Sequence, residues 1–490
     1  MSVTVRLATP LRAAAGGSAT LALDAADLGG LVREITERYP ELAARVLRDG
    51  AFGPFVNVFV DGEDARYLDP RAELAGKRTV EILPAMSGGA VAELPDAIRG
   101  PHEVYGSFID ETIGIAARQT RDTVLFAVGS PAREALELVG VDDLAHTVIE
   151  RDGPAALGYG ITEGDPELRA IVAGLMRERG VACGDGNVIV TAGALQAIDL
   201  AARVFVRPGD VAVVESPHFT NAISALRNHG AGVLEVPADD DGLDVAEAER
   251  LIRRAGVRPR VFFVVPNFQN PTGATLSLAR REALVELAAR HRSIIIEDDP
   301  YHDLRYRRVD LPTIAALARG RAEVVYCGSF SKVFLPGLRV GWAVAPVDVI
   351  ARMAAAKQTV DSSTSSLGQR IVVEFHRRGR ASEHLVKLRT LYSEKQLRAR
   401  AALAREFAAT GVTWNDPDGG FYLWVRLPDG RSSRSLFATA LEEGVAFVPG
   451  HAFGVASDHT AAFRFSYSSP TTERIDEGVR RLRRAFDRTA

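Results

Sequence analysis

Apolar and polar positions alternate from the first residues, with Val3, Val5 and Leu7 on one side, which predicts a half-buried strand over 2–8. After the Gly16-Gly17 turn, Ala19 to Leu23 returns as the second strand of a hairpin. The spacing then lengthens to a helical one. Leu28, Leu31, Val32 and Ile35 share a face, and Asp27 stands where a cap is needed. Phe55 to Val60 is a β-branched and aromatic run closed by an Asp61-Gly62 turn, and Thr79 to Leu83 supplies a further strand. Strand, strand, helix, strand, strand makes a small α+β unit.

The polar stretch from Ala90 to about Gly106, with Pro95, Gly100 and Pro101, reads as a linker. Beyond it, apolar runs alternate with amphipathic stretches. Strands are expected at 188–191, 211–214, 232–236, 261–265, 294–298, 324–328 and about 340–344. That alternation implies a mainly parallel sheet covered on both faces. The last part changes character. A long helix, about 383–408, precedes strands at Gly419–Val425 and Phe463–Tyr467, a smaller α+β lobe with substrate held between it and the larger one. The organisation expected is therefore a domain over 1–89, a linker over 90–106 and a two-lobed domain over 107–490. Its large lobe runs over about 160–370, and its small lobe over about 107–155 and 371–490.

With 490 residues, 47% of them hydrophobic, the chain can bury more than one core. Lys+Arg 59 against Asp+Glu 63, with no charge block at either end, excludes an electrostatic partner such as nucleic acid or an anionic membrane surface. Cys183 and Cys327 lie far apart, outside any metal-type spacing, and are expected to be reduced in a cytoplasmic protein. Arg6 and Arg12 break the apolar runs that a signal peptide needs, and no stretch reaches the roughly eighteen apolar residues of a membrane helix.

Chemistry is concentrated after the run Val324-Val325-Tyr326-Cys327, in Gly328-Ser329-Phe330-Ser331-Lys332 and then Gly337-Leu338-Arg339. Ser329, Ser331 and Arg339 make a cradle for a phosphate dianion, because a guanidinium pairs phosphate oxygens two at a time. A lysine at a strand end in apolar surroundings has a lowered pKa, which frees its amine to form a Schiff base. The run resembles the lysine motif of fold-type I pyridoxal-phosphate (PLP) enzymes, closest to the aminotransferase class I/II group. The resemblance covers roughly 105–490 and implies a large α/β domain with a mainly parallel sheet, a small α+β domain, and Lys332 as the cofactor lysine.

Further motifs follow in that family's order. In Asn267-Phe268-Gln269-Asn270-Pro271-Thr272-Gly273, the resemblance makes Asn270 a donor to the cofactor's 3′-oxygen. In Glu297-Asp298-Asp299-Pro300-Tyr301 it makes Asp298 the partner of the pyridine nitrogen and Tyr301 a second donor to the 3′-oxygen. Asp299 is the rival, although strand alternation turns it to the other face. Gly193, Ala194 and Leu195 open a helix whose free N–H groups suit a phosphate; relatives carry Ser-Gln where this chain has Ala194-Leu195, so no side-chain bond is expected there. Phe219 takes the place of the aromatic that stacks on the ring, with His218 beside it as either a proton carrier or a structural histidine. Tyr159 resembles the tyrosine that reaches the phosphate of a neighbouring subunit, which implies a homodimer. Arg464, in Phe463-Arg464-Phe465-Ser466, matches the arginine that holds the substrate α-carboxylate, with Gly129 and Asn270 on the substrate side. No metal is expected.

The first unit, with Phe55-Val-Asn-Val-Phe-Val-Asp-Gly and its end Gly88-Gly89, resembles the ubiquitin-like (β-grasp) sulfur carriers of molybdopterin and thiamine biosynthesis. In them the terminal glycine is activated and converted to a thiocarboxylate, with adenylating and sulfurtransferase partners. Here Ala90 follows Gly89, so a carrier role requires a cut by a protease; a plain Gly-Gly linker is the other reading. Two activities follow. One is a PLP-dependent aminotransferase acting on an amino acid and a 2-oxo acid. The alternative is a side-chain replacement enzyme that takes sulfur from a thiocarboxylated N-terminal carrier. A PLP-binding regulator is weaker, since the first unit is strand-rich and not basic.

Overall fold

The computed structural model describes residues 2–48, 50–52, 56–61, 63–65, 74, 79–84, 105–117, 119 and 121–489. Gly88 and Gly89, with most of the expected linker, lie outside the described residues. The chain divides into two compact units, Met1–His102 with Ile115–Asp122, and Glu103–Gly114 with Thr123–Ala490.

In the first unit β1 (Ser2–Leu7), β2 (Thr20–Asp24), β3 (Val56–Val60), β4 (Glu63–Asp64) and β5 (Thr79–Pro84) form a sheet in the order β2-β1-β5-β3-β4. The central pair β1 and β5 is parallel and the other pairings are antiparallel. Helix α1 (Leu28–Arg38) starts where Asp27 accepts the Gly30 N–H at 2.7 Å, a cap that offsets two glycines in its first turn. Leu28, Leu31 and Ile35 are buried against Val3, Val5, Leu23, Val58 and Ile82, whereas Val32 sits at the margin of that face.

The second unit is built on an eight-stranded sheet. Its strands are β6 (Val188–Thr191), β7 (Val211–Ser216), β8 (Gly232–Asp239), β9 (Gly242–Leu243), β10 (Pro259–Val264), β11 (Ile294–Asp298), β12 (Glu323–Ser329) and β13 (Gly341–Val344). The order is β9-β8-β7-β10-β11-β12-β13-β6. From β8 to β12 the pairing is parallel; β13 is antiparallel to β12 and to β6, which leaves β6 running the same way as β12. The C-terminal ends of β6, β7, β10, β11 and β12 therefore open on one edge, where α/β sheets bind their ligands. Helix α2 (Ala194–Phe205) starts at that edge, directly after β6. Continuous apolar runs such as Ile294-Ile295-Ile296 are needed because both faces are covered, and every residue of β11 is buried.

The smaller lobe carries the long helix α3 (Ala381–Glu406) and a sheet of β14 (Thr413–Trp414), β15 (Tyr422–Arg426), β16 (Val448–Pro449) and β17 (Ala462–Ser466). Residues from before the large sheet join it, since the Ser466 N–H donates to Phe126 O at 2.9 Å. Tyr105 and Gly106, which the sequence pattern assigns to the linker, are docked on the segment Thr220–Asn228. The Tyr105 N–H reaches Asn228 Oδ1 at 2.8 Å, and Ser224 Oγ reaches Gly106 O at 2.8 Å.

Gly328 faces Trp342 across β12 and β13, and a Cβ at Gly328 would stand 2.3 Å from the indole ring. Gly328→Ala should therefore lower stability by about 1–3 kcal/mol through overpacking. A urea midpoint unchanged from wild type would show that the strand pair can yield.

Candidate active site

Lys332 leaves the end of β12 in a turn and sends Nζ to Gly129 O at 2.8 Å. That approach needs a glycine, because a Cβ at position 129 would stand 2.1 Å from Tyr422 Oη. The amine lies 5.8 Å from the centroid of the Tyr301 ring and 6.0 Å from that of Phe421. Burial among these rings holds its pKa below the ordinary lysine value. Arg464 and Arg339 press the same way, against the opposing pull of Tyr422 and Asp298.

Alternation along β11 separates three consecutive carboxylates. Glu297 accepts the N–H groups of Ile314 and Ala315, each at 2.8 Å. Asp299, on the same side, accepts Asn267 Nδ2 at 2.8 Å and lies 3.1 Å from His302 Nδ1. Burial raises the pKa of Asp299, but His302, Asn267 and Arg179 outweigh it and hold it at about 2. Asp298 points to the opposite face. It is 3% exposed, its Oδ1 has no partner among the described residues, and burial with the neighbouring Asp299 charge pushes its pKa up to about 7 despite Lys332. A buried carboxylate oxygen left unpaired fits a ligand that brings a cationic N–H. Nearby, Glu215 accepts the Val265 N–H at 3.2 Å and Gln269 Nε2 at 3.3 Å, yet burial raises its pKa to about 8.

The anion cradle lies on the β6 side. Helix α2 begins after Gly193, where an added Cβ would meet the Arg339 guanidinium at 2.6 Å. Arg339 donates to Ala192 O at 3.0 Å and to Ser331 Oγ at 3.4 Å, while Ser329 Oγ accepts the Ser331 N–H at 3.1 Å. Leu195 turns its side chain outward, 37% exposed, so Gly193, Ala194 and Leu195 offer backbone only. Gln196 provides what the sequence pattern does not reveal. Its Oε1 takes the Ala192 N–H at 2.7 Å and its Nε2 donates to Asp361 at 2.8 Å, which ties down the loop before the helix.

Opposite the cradle, Arg464 on β17 donates to Asn270 Oδ1 at 2.8 Å and to Ala127 O at 2.6 Å. Its Nε is buried without a partner among the described residues, and its guanidinium lies 4.6 Å from the Tyr422 ring centroid and 5.4 Å from that of Phe453. Tyr301 and Tyr422 share a hydrogen bond at 2.9 Å, and burial raises the Tyr301 pKa well above the ordinary phenol. Phe219 is half-buried at the start of Thr220–Asn228. His218 turns its Nε2 to within 3.2 Å of Glu235, and neither of its ring nitrogens has a hydrogen-bond partner among the described residues. The structure thus brings together Gly129, Gly193, Ala194, Asn270, Asp298, Tyr301, Ser329, Ser331, Lys332, Arg339 and Arg464. It does not bring Tyr159 there within one chain, since Tyr159 is 98% exposed beside the exposed Leu157 and Ile161. Tyr422 joins the site beside Gly129 and Tyr301, and a strand pattern alone does not tell that its phenol will lie there. Among the described residues no cluster of His, Cys, Asp and Glu could hold a metal, and no helix is long and apolar enough to cross a membrane.

Residues 121–482 match the family model of aminotransferase class I and II, and residues 5–89 match the ThiS family. The chain is 38% identical over 390 residues to a 2-aminoadipate transaminase of Thermus thermophilus, covering 79% of this chain and 96% of that one. It is 34% identical over 368 residues to an aromatic-amino-acid aminotransferase of Thermococcus litoralis, covering 74% of this chain and 88% of that one. Among solved structures it resembles the alpha-aminoadipate aminotransferase of Thermus thermophilus complexed with N-(5'-phosphopyridoxyl)-L-leucine. There the TM-score is 0.73 at 36% identity, over 79% of this chain and 96% of that chain.

The raised pKa of Asp298 has a signed consequence for the protein with no ligand bound. Between the ordinary value of 3.8 and about 7, the folded carboxyl keeps a proton that the unfolded one has lost. Its contribution to stability is therefore complete at low pH and is lost as pH rises through that window. Urea titrations of the ligand-free protein should show a shallower loss between about pH 4 and 7 for Asp298→Asn than for wild type. Equal slopes would mean that Asp298 ionises freely.

Proposed function

The chain belongs to the aminotransferase class I and II family, and from that premise we propose a division of labour for its site residues in a PLP-dependent transamination between an amino acid and a 2-oxo acid. The observation that carries it is the pairing, at one sheet edge, of a buried unpartnered Asp298 oxygen with a lysine whose pKa is lowered by burial. Bound pyridoxal 5′-phosphate supplies a carbonyl for amine exchange and a ring that withdraws electrons from the substrate Cα.

Asp298 then holds a proton at the ring nitrogen, and its own charge is restored by that contact. Asn270, whose Oδ1 is occupied by Arg464, has Nδ2 left to donate to the 3′-oxygen, with Tyr301 as second donor. Phe219 covers one ring face. Gly193, Ala194 and Leu195 offer backbone N–H groups to the phosphate, with Ser329, Ser331 and Arg339 closing the cradle. With the cofactor bound, Lys332 would take the substrate Cα proton as general base and return it as general acid. The lowered pKa favours the neutral amine that this requires. Arg464 takes the α-carboxylate through its unpartnered edge, and Gly129 lines the substrate side.

The exposed Leu157, Tyr159 and Ile161 support a homodimer in which Tyr159 completes the partner's phosphate site. For the N-terminal unit, which matches the ThiS family, the reading is a sulfur-carrier-like module released by a protease after Gly89 and served by adenylating and sulfurtransferase partners.

Lys332→Ala should abolish turnover and the visible absorbance of lysine-bound cofactor while the far-UV spectrum stays that of wild type; surviving turnover would sink the assignment. Asp298→Asn should keep the cofactor and lose about 10²–10⁴-fold in kcat, while Asp299→Asn loses little. Intact-mass measurement on protein from its native host should find a fragment ending at Gly89, part of it with sulfur in place of oxygen. A chain that stays whole there rules the carrier role out.

A further inference from the structure

One carboxylate joins the two lobes beside the site. Glu235 on β8 has a side chain 7% exposed, enclosed by donors. Its Oε1 accepts the Val455 N–H at 2.7 Å, and its Oε2 accepts the N–H groups of Ala456 and Ser457 at 2.9 and 2.8 Å and Ser457 Oγ at 2.9 Å. His218 Nε2 lies 3.2 Å from Oε1, beside these four hydrogen-bond donors. A carboxylate has about four lone-pair directions, so these donors saturate it. Burial raises its pKa, but His218 and the amides of Val455 and Ala456 outweigh burial and the net shift is downward, so the group is charged.

The contact joins functional neighbours. Residues 454–459 belong to no helix or strand, so Glu235 is the acceptor that orders three successive N–H groups. That loop and the turn before it meet the chain on either side of Phe219 at three more points. His218 N–H donates to Phe453 O at 2.9 Å, Thr220 Oγ1 donates to Ala452 O at 2.5 Å, and Ser216 Oγ lies 2.9 Å from His459 Nε2. Phe453 is in turn one wall beside Arg464. Arg464 has separate anchors in Asn270 and Ala127, so losing the clasp frees the wall and leaves the arginine in place.

We propose that Glu235 is a positioning residue for substrate: by fixing Val455–Ser457 against His218, it sets the gap between the Phe219 ring and the Phe453 wall of the Arg464 site. The proposal deepens the transaminase reading and rests on it. Its test is steady-state kinetics of the cofactor-loaded full chain, with panels of amino acids and 2-oxo acids, on wild type and three variants. Glu235→Ala should raise KM for both substrates by about tenfold, with kcat within about threefold and the cofactor spectrum unchanged. Glu235→Gln, which keeps one acceptor oxygen, should fall between Glu235→Ala and wild type. Ser457→Ala removes one donor of the four, should raise KM about twofold, and serves if Glu235→Ala does not fold. A variant series that shifts only the melting temperature, or that loses kcat or cofactor with KM unmoved, overturns the positioning role. A wild type with no amino-group transfer overturns the transaminase reading instead.

Discussion

A carboxylate buried without a partner is the constraint on which this site depends. Asp298 stands at the end of an entirely buried strand, with Asp299 beside it and one oxygen unsatisfied. Such a group is tolerated only where a ligand completes it or where it keeps its proton. Much of the surrounding architecture manages that cost. On the far face the amides of Ile314 and Ala315 satisfy Glu297, and Asn267 and His302 satisfy Asp299, while on the near face Asp298 feels both the Asp299 charge and the Lys332 amine.

The pyridoxal phosphate cofactor fits this arrangement from three sides. In the reading proposed above, its nitrogen would meet Asp298, its phosphate the convergence of Arg339, Ser329, Ser331 and the start of Ala194–Phe205, and its carbonyl carbon the lysine enclosed by aromatic rings. Rings do two things at once around Lys332 and Arg464. They exclude water, which strengthens each charge interaction, and they leave hydrogen-bonding edges free for substrate.

Much of this was legible in the sequence, for physical reasons. Apolar runs such as Ile294-Ile295-Ile296 mark strands buried on both faces, and the chemistry-bearing residues follow them because parallel strands end on a common edge. The resemblance implies Asp298 through its spacing from Tyr301, and the two-residue period of a strand sets Asp299 on the other face. What stayed hidden depends on contacts between distant segments. Tyr422 meets Gly129 and Tyr301, Gln196 meets Asp361, and Glu235 meets Val455, and no local pattern encodes those pairings. The exposed Tyr159 is hidden in another sense: the chain alone does not contain the surface it would meet.

The path of the chain through the small lobe has a consequence for how the protein is made. Arg464 bonds Ala127, 337 residues earlier, and Ser466 bonds Phe126. During synthesis the cradle and Lys332 leave the ribosome before Arg464 does, in a direction fixed by the N-to-C order of translation. The large sheet can fold and shelter its phosphate-binding edge while the lobe that closes over substrate still lacks its C-terminal strands. Sequence separation of this length also makes that lobe a late and slow contact to form. The half of the candidate site on the large sheet can therefore form ahead of the half that closes with Arg464.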